Sequence, residues 1–135
     1  MAYNIIDIEG IGPVFAEKLN AAGINTTDDL LAKGGTSAGR KELADATGID
    51  NGKILTWVNH SDLHRIDGIA GQTSELMEAA GVDTVKELAT RNAANLAAKM
   101  EEVNTAKNLS GRVPSADQLQ KMIDQAKTLD QKVFH

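Results

Sequence analysis

The chain has 135 residues, 41% of them hydrophobic, 24% charged and 3% aromatic, with no cysteine. This length makes one small domain or two very small ones, and the missing cysteines exclude disulfides, thiolate metal sites and sulfur nucleophiles. Fourteen Lys and Arg against nineteen Asp and Glu leave a formal charge of −5, opposite to the field that a strong phosphate-binding surface needs.

In chain order, residues 3 to 6 suit a short extended start, and Ile8-Glu9-Gly10-Ile11-Gly12 follows as an apolar residue and a glycine turn. Pro13 fits the first position of a helix, where its missing N–H is no loss. Gly23 stands where a left-handed residue closes that helix after about three turns. Thr26-Thr27-Asp28-Asp29 has Thr at the cap and an acid three residues on, the spacing of a capping box. The next helical stretch runs to Leu43 and Ala44, and a last helix carries Ile54, Trp57 and Val58 at i, i+3 and i+4, on one face.

The series then begins again. A gapless offset of 58 lays Ile66-Asp67-Gly68-Ile69-Ala70 under Ile8-Glu9-Gly10-Ile11-Gly12, and Ala79-Ala80-Gly81-Val82 under Ala21-Ala22-Gly23-Ile24. Thr84, Glu87 and Leu88 fall under Thr26, Asp29 and Leu30, so a second capping box is expected at Thr84. Leu96 and Ala97 correspond loosely to Leu43 and Ala44. Ser115, with Gln118 three residues on, caps a last helix carrying Leu119, Met122 and Ile123. Residues 104 to 112 read as an exposed loop that the first copy lacks at this length. With no sustained period-two alternation, the fold class is all-α, built as two repeat units over residues 1–62 and 63–135. The alanine pairs at 21–22, 79–80, 93–94 and 97–98 suggest close helix packing in the interior.

Ile8-Glu9-Gly10-Ile11-Gly12-Pro13 followed by Ala16 and Leu19 resembles the helix-hairpin-helix signature, and Gly68-Ile69-Ala70-Gly71 resembles it less closely. Over residues 3 to 130 the chain is similar to an uncharacterised family of tandem helix-hairpin-helix proteins, catalogued only as a domain of unknown function. Its units resemble the small SAM-like helical domains beside recombinases, polymerases and nucleotide-excision proteins. The resemblance implies two such units packed into one helical protein, with hairpins able to meet phosphate. The physics of such contact is direct, since glycines admit close backbone approach and the next helix offers free N–H groups at its positive end. Gly10, Ile11 and Gly12, with Lys18 as the nearby cation, are the first candidate contact, and Ile11 plugs the interior. Gly68, Ile69 and Gly71 form the second, where Gln72-Thr73-Ser74-Glu75 supplies no positive charge. In DNA-binding relatives a Lys or Arg commonly follows the hairpin; here Val14, Phe15 and Glu17 occupy that stretch, and Asp7 and Glu9 repel a phosphate. A partner protein can use the same turn by placing a carboxylate on the helix N-terminus.

Charge is divided unequally, −4 in residues 1 to 67 and −1 in 68 to 135. Arg91, Lys99, Lys107 and Arg112 make the second half the better place for an anionic partner, although its hairpin has the poorer motif. His60, Asp62 and His64 are the one compact group resembling a metal or catalytic cluster. They fall at the join between copies, where a solvated linker or capping role is the expectation. Tyr3, Phe15, Trp57 and Phe134 are too scattered for a base-stacking platform, and Phe15 and Trp57 read as core. No nucleophile motif is present, so no enzyme, cofactor or metal site is expected. The first functional expectation is protein–protein binding or self-association, with residues 104 to 114 and the tail from Asp130 to His135 as contacts. The alternative is weak, sequence-independent DNA binding through Gly10-Ile11-Gly12, with a salt slope of about one to three phosphates. No run approaches the roughly 18 apolar residues of a membrane span, and Met1-Ala2-Tyr3-Asn4 lacks the features of a secretory signal. The expectation is a cytoplasmic protein without membrane insertion.

Overall fold

Glycine closes one helix in each half by the same pair of bonds. Gly23 (φ +87°) donates to the Asn20 carbonyl and Ile24 to that of Leu19, while Gly81 (φ +97°) donates to Glu78 and Val82 to Met77. This is the Schellman arrangement, which a side chain at that φ would strain. The computed structural model describes residues 3–69 and 71–135; Met1, Ala2 and Ala70, the last standing opposite Gly12 at the repeat offset, lie outside the described residues. Among those described there are eight α-helices and no strand: α1 (Pro13–Ala21), α2 (Thr27–Gly34), α3 (Ser37–Thr47), α4 (Asn51–Leu63), α5 (Gly71–Ala79), α6 (Val85–Leu88), α7 (Ala93–Lys107) and α8 (Ala116–Ala126). The all-α class holds. The extended start is confined to one antiparallel bridge between Asn4 and Thr26, and Ile5–Asp7 form a 3-10 turn.

Caps explain where the helices begin. Thr26 accepts from the Asp29 N–H while the Asp29 carboxylate accepts from the Thr26 N–H, and Ser115 and Gln118 make the same reciprocal pair at α8. Thr84 accepts from the Glu87 N–H, but the Glu87 carboxylate is held by Arg91, so α6 has half of the expected box. A different amide of the first turn is met from elsewhere, since Asp62 Oδ2 accepts from the Val85 N–H at 2.8 Å.

Buried apolar side chains form two clusters. The first joins Ile5, Ile8, Ile11, Leu19, Ile24, Leu30, Leu43, Ile54, Trp57 and Val58, and Val133 from the C-terminus completes it. The second joins Leu63, Ile66, Ile69, Leu76, Met77, Val82, Val85, Leu88, Leu96, Met100, Leu119 and Ile123. Helix α4 belongs to both, and its buried turn Asn59, His60, Ser61 and Asp62 forms a polar seam between them. Of the alanines expected inside, Ala80 and Ala93 are buried, but Ala21, Ala22, Ala94 and Ala98 are exposed; outside, they favour helix by propensity alone.

The loop expected over 104 to 112 is corrected in part, although residues 105 to 108, 111 and 112 are exposed as expected. Residues 104 to 107 are the last turn of α7, and only the segment after Asn108 is irregular. Asn104 brackets that segment, accepting from the Ser110 N–H and donating to its carbonyl, both at 2.9 Å. The C-terminal tail is anchored at Val133 and Phe134, while the side chains of Asp130, Gln131, Lys132, Phe134 and His135 stay exposed. Val133 is buried, Phe134 donates to the Gly35 carbonyl at 2.7 Å, and buried Arg40 reaches the carbonyls of Gly34, Gly35 and Phe134. A Cβ on Gly35 would run into the Lys132 carbonyl, and one on Gly34 would come within 2.6 Å of Val58. Gly35 thus lets the tail lie close on the end of α2, and Gly34 lets α4 approach it.

Candidate binding surfaces at the hairpins and the seam

The first hairpin turns at Gly10, whose φ of +93° favours glycine and whose Cβ, if present, would stand 3.3 Å from Trp57 Nε1. Ile11 is buried as a plug. Gly12 caps α1 in an extended conformation with open space around it, Pro13 follows, and the first intrahelical bond runs from the Ala16 N–H to the Gly12 carbonyl. Val14 stands 66% exposed in the first turn, where a phosphate-binding hairpin would want a cation. Lys18 does not supply it. That residue sits in the last turn of α1, five residues past Pro13 and so roughly 7.5 Å along the axis.

At the second hairpin Gly68 has φ +87° and Ile69 is fully buried. Gly71 begins α5 close against the first hairpin, since a Cβ there would meet the Asp7 carbonyl and Glu9 Oε1, each at 3.2 Å. The Glu9 carboxylate thus lies at the positive end of α5, the placement a helix dipole favours. On the other side of this turn Arg112 joins Gly68, Gln72, Thr73, Ser110 and Gln118 around a cleft of about 520 Å³, with the Gly111 N–H on Gln72 Oε1 at 3.3 Å. Arg112 reaches the hairpin of its own half, the one with the poorer motif, because Asn104 folds the segment after α7 back on itself. The other cations do not gather. Arg91 is bound to Glu87 and the Gly81 carbonyl, and Lys99 and Lys107 are exposed on α7 without lining this cleft.

His60, Asp62 and His64 are buried, which corrects the solvated linker. The two histidines share a face of α4, as their spacing requires, and that face meets α5: His60 Nε2 lies 3.0 Å from Glu78 Oε2 and His64 Nε2 lies 3.4 Å from Ser74 Oγ. Asp62 points elsewhere, to Arg65 at 2.7 Å and to the Val85 N–H. Ser74 Oγ donates to the Gly71 carbonyl at 2.9 Å, so His64 Nε2 must be the donor in their contact, which leaves Nδ1 a bare lone pair. That nitrogen is buried without a partner, as are His60 Nδ1 and Asn59 Oδ1. Burial foremost, then the nearby His60 charge, pushes the His64 pKa down to about 4, against an opposing pull from Asp7. Among the described residues no group of three or more His, Asp and Glu is placed to hold a metal ion.

Beside Gly10 a second cleft, of about 470 Å³, opens where the first hairpin meets α4 and α5. Glu9, Asp50, Glu75 and Glu78 line it with a single lysine, Lys53, whose ammonium lies 5.9 Å from the centre of the Phe15 ring. Trp57 and His60 form its buried side. Sequence reading missed this site because its carboxylates come from three separate elements.

The described residues make an all-helical chain with a glycine turn before α1 and another before α5, an acidic cleft beside one and an arginine beside the other. The model of the family described as "Domain of unknown function (DUF4332)" matches residues 9–129, and the chain belongs to that family. No curated protein and no solved structure matches it. Among the described residues no helix is long and apolar enough to cross a membrane.

Proposed function

We propose that the chain is a pair of helix-hairpin-helix units, dividing near residues 62 and 63, that serves in the cytoplasm as a non-catalytic adaptor binding protein partners through its hairpin surfaces. The observation that carries this reading is the first hairpin itself. Its turn is open at Gly12, apolar Val14 is exposed where a phosphate contact requires a cation, and acidic Glu9 precedes the turn. Apolar exposure beside free N–H groups suits a protein surface better than a polyanion. The test is cross-linked capture from native cells, read by mass spectrometry, beside sedimentation of the purified chain. Val14→Glu should remove a specific partner or a self-associated species without unfolding the protein, because Val14 is exposed. Capture and sedimentation unchanged by Val14→Glu reject the hairpin as the contact.

A second reading, weak DNA binding, is favoured by Arg112 at the Gly68 hairpin. It expects salt-sensitive anisotropy of labelled duplex DNA that fades at physiological salt and falls on Arg112→Ala. Gly12→Leu, for which there is open space and an ordinary φ, tells whether the first hairpin contributes. Absence of binding at low salt removes the reading.

A further inference from the structure

We infer that the notch formed by Gly34, Gly35 and Arg40 binds the extended C-terminal segment of a protein partner through that segment's free α-carboxylate, and that the chain's own residues 132–134 close it. The notch is built from α2 and α3 and not from either hairpin, so it is a second contact, independent of the one proposed at Val14. The seated tail shows what the notch recognises. Phe134 donates its N–H to the Gly35 carbonyl at 2.7 Å and its own carbonyl accepts from Arg40 Nη2 at 2.8 Å, while the Val133 side chain enters the first apolar cluster. The side chains of Lys132, Phe134 and His135 stay exposed. Recognition thus reads one apolar side chain and the backbone of the next residue. Gly35 admits that backbone, since a Cβ there would run into the Lys132 carbonyl.

Arg40 gives the charge of the ligand. It is buried, it donates to the carbonyls of Gly34, Gly35 and Phe134, and among the described residues no carboxylate pairs with it. A buried guanidinium met by neutral acceptors alone lacks the counter-charge that offsets its desolvation. Two of its three partners belong to the end of α2, and only the carbonyl of Phe134 comes from a segment that can be exchanged. A chain ending at the residue in the Phe134 position would place a carboxylate there. That turns a neutral acceptor into a charge-assisted one and keeps both the apolar contact and the N–H bond to Gly35. Extended segments are captured elsewhere by their C-terminal carboxylates in the same way. The tail is then a competitor in cis, and a partner's apparent affinity is its intrinsic affinity reduced by the fraction of notches that stand open.

The test is fluorescence anisotropy of a labelled peptide spanning Asp130 to Phe134, made once with a free carboxylate and once with a terminal amide, titrated with the full chain. The acid should bind about tenfold tighter than the amide. Val133→Ala in the full chain loosens the tail and should strengthen binding of the acid by about tenfold. As the acid saturates the protein, the chain's own Phe134 amide should lose its protection from hydrogen exchange. If Val133→Ala does not fold, the two peptides and the Phe134 amide decide on the unaltered chain. Equal binding of acid and amide, no binding to any folded form, or a Phe134 amide still protected at saturation overturns the inference. Failure of the peptide to bind while Val14-dependent capture persists rejects the notch and leaves the hairpin contact; the reverse pair of results rejects the hairpin and leaves the notch.

Discussion

His64 illustrates how far one side chain's behaviour follows from its neighbours. Neutral, it fits the seam, with Nε2–H toward Ser74 and the Tyr3 ring edge-on at 5.1 Å. Protonated, it would hold a charged N–H at buried Nδ1 with no acceptor. Its folded pKa of about 4 lies below the ordinary 6.5, so between those values the unfolded chain binds a proton that the folded one refuses. Stability should therefore be flat through this group above about pH 6.5, and fall by about 2 to 3 kcal/mol as the pH drops from there toward 4. Urea denaturation across that range should show the fall in the parent and lose this share of it in His64→Gln. An identical slope in both would place the acid sensitivity elsewhere. The sequence showed that His60 and His64 share a helical face but not that this face is covered. Burial there depends on α5, and nothing local to residues 60 to 64 encodes the arrival of Ser74 and Glu78.

Among elements, the termini with purely local causes were the legible ones. Gly23, Gly81, Thr26 and Ser115 do what their neighbours within five residues demand. Helix α6 is different. At four residues it is too short to hold itself, and its first N–H is satisfied by Asp62 from α4. In the first half the matching amide, of Thr27, bonds the Tyr3 carbonyl at 2.8 Å; one repeat uses backbone where the other uses a carboxylate. Asp62→Ala should accordingly cost about 2 to 4 kcal/mol, since it strands a buried N–H and removes the partner of Arg65. Ser115→Ala, an exposed cap, should cost only about 1 kcal/mol. Chemical denaturation of the two variants checks the ordering, and equal losses would mean that α6 does not depend on the seam. The position of Arg112 has a related origin. The sequence puts Arg112 in a loop of the second half, and Asn104 turns that loop onto Gly68, a contact that neither periodicity nor motif spacing carries.

At the scale of the molecule, a repeat in sequence need not be a unit of folding. The offset of 58 marks a boundary at residues 62 and 63, which falls at the end of α4 and separates Asp62 from the Val85 it caps. The first cluster also takes Val133 from the far end of the chain, with Arg40 and Gly35 binding Phe134. Removing residues 133 to 135 should cost about 2 to 4 kcal/mol, from the lost burial of Val133 and from the Arg40 and Gly35 bonds. Arg40→Lys should lose part of that, because an ammonium cannot reproduce the fork over three carbonyls. Separate fragments 1–62 and 63–135 go further: one lacks its strap, the other lacks the cap of α6, and both expose the polar seam with its orphaned histidine nitrogens. Each fragment alone should be largely unfolded by circular dichroism and proteolysis, and the intact chain should unfold in one transition with the same midpoint by Trp57 fluorescence, which reports the first half, and by hydrogen exchange at Leu88 and Leu96, which report the second. Two separated midpoints, or a fragment that folds alone, would show that α4 joins independent domains. The acidic cleft shares this dependence, since its walls come from Glu9 and Asp50 in one half and Glu75 and Glu78 in the other, so it exists only while the two repeats fold as one.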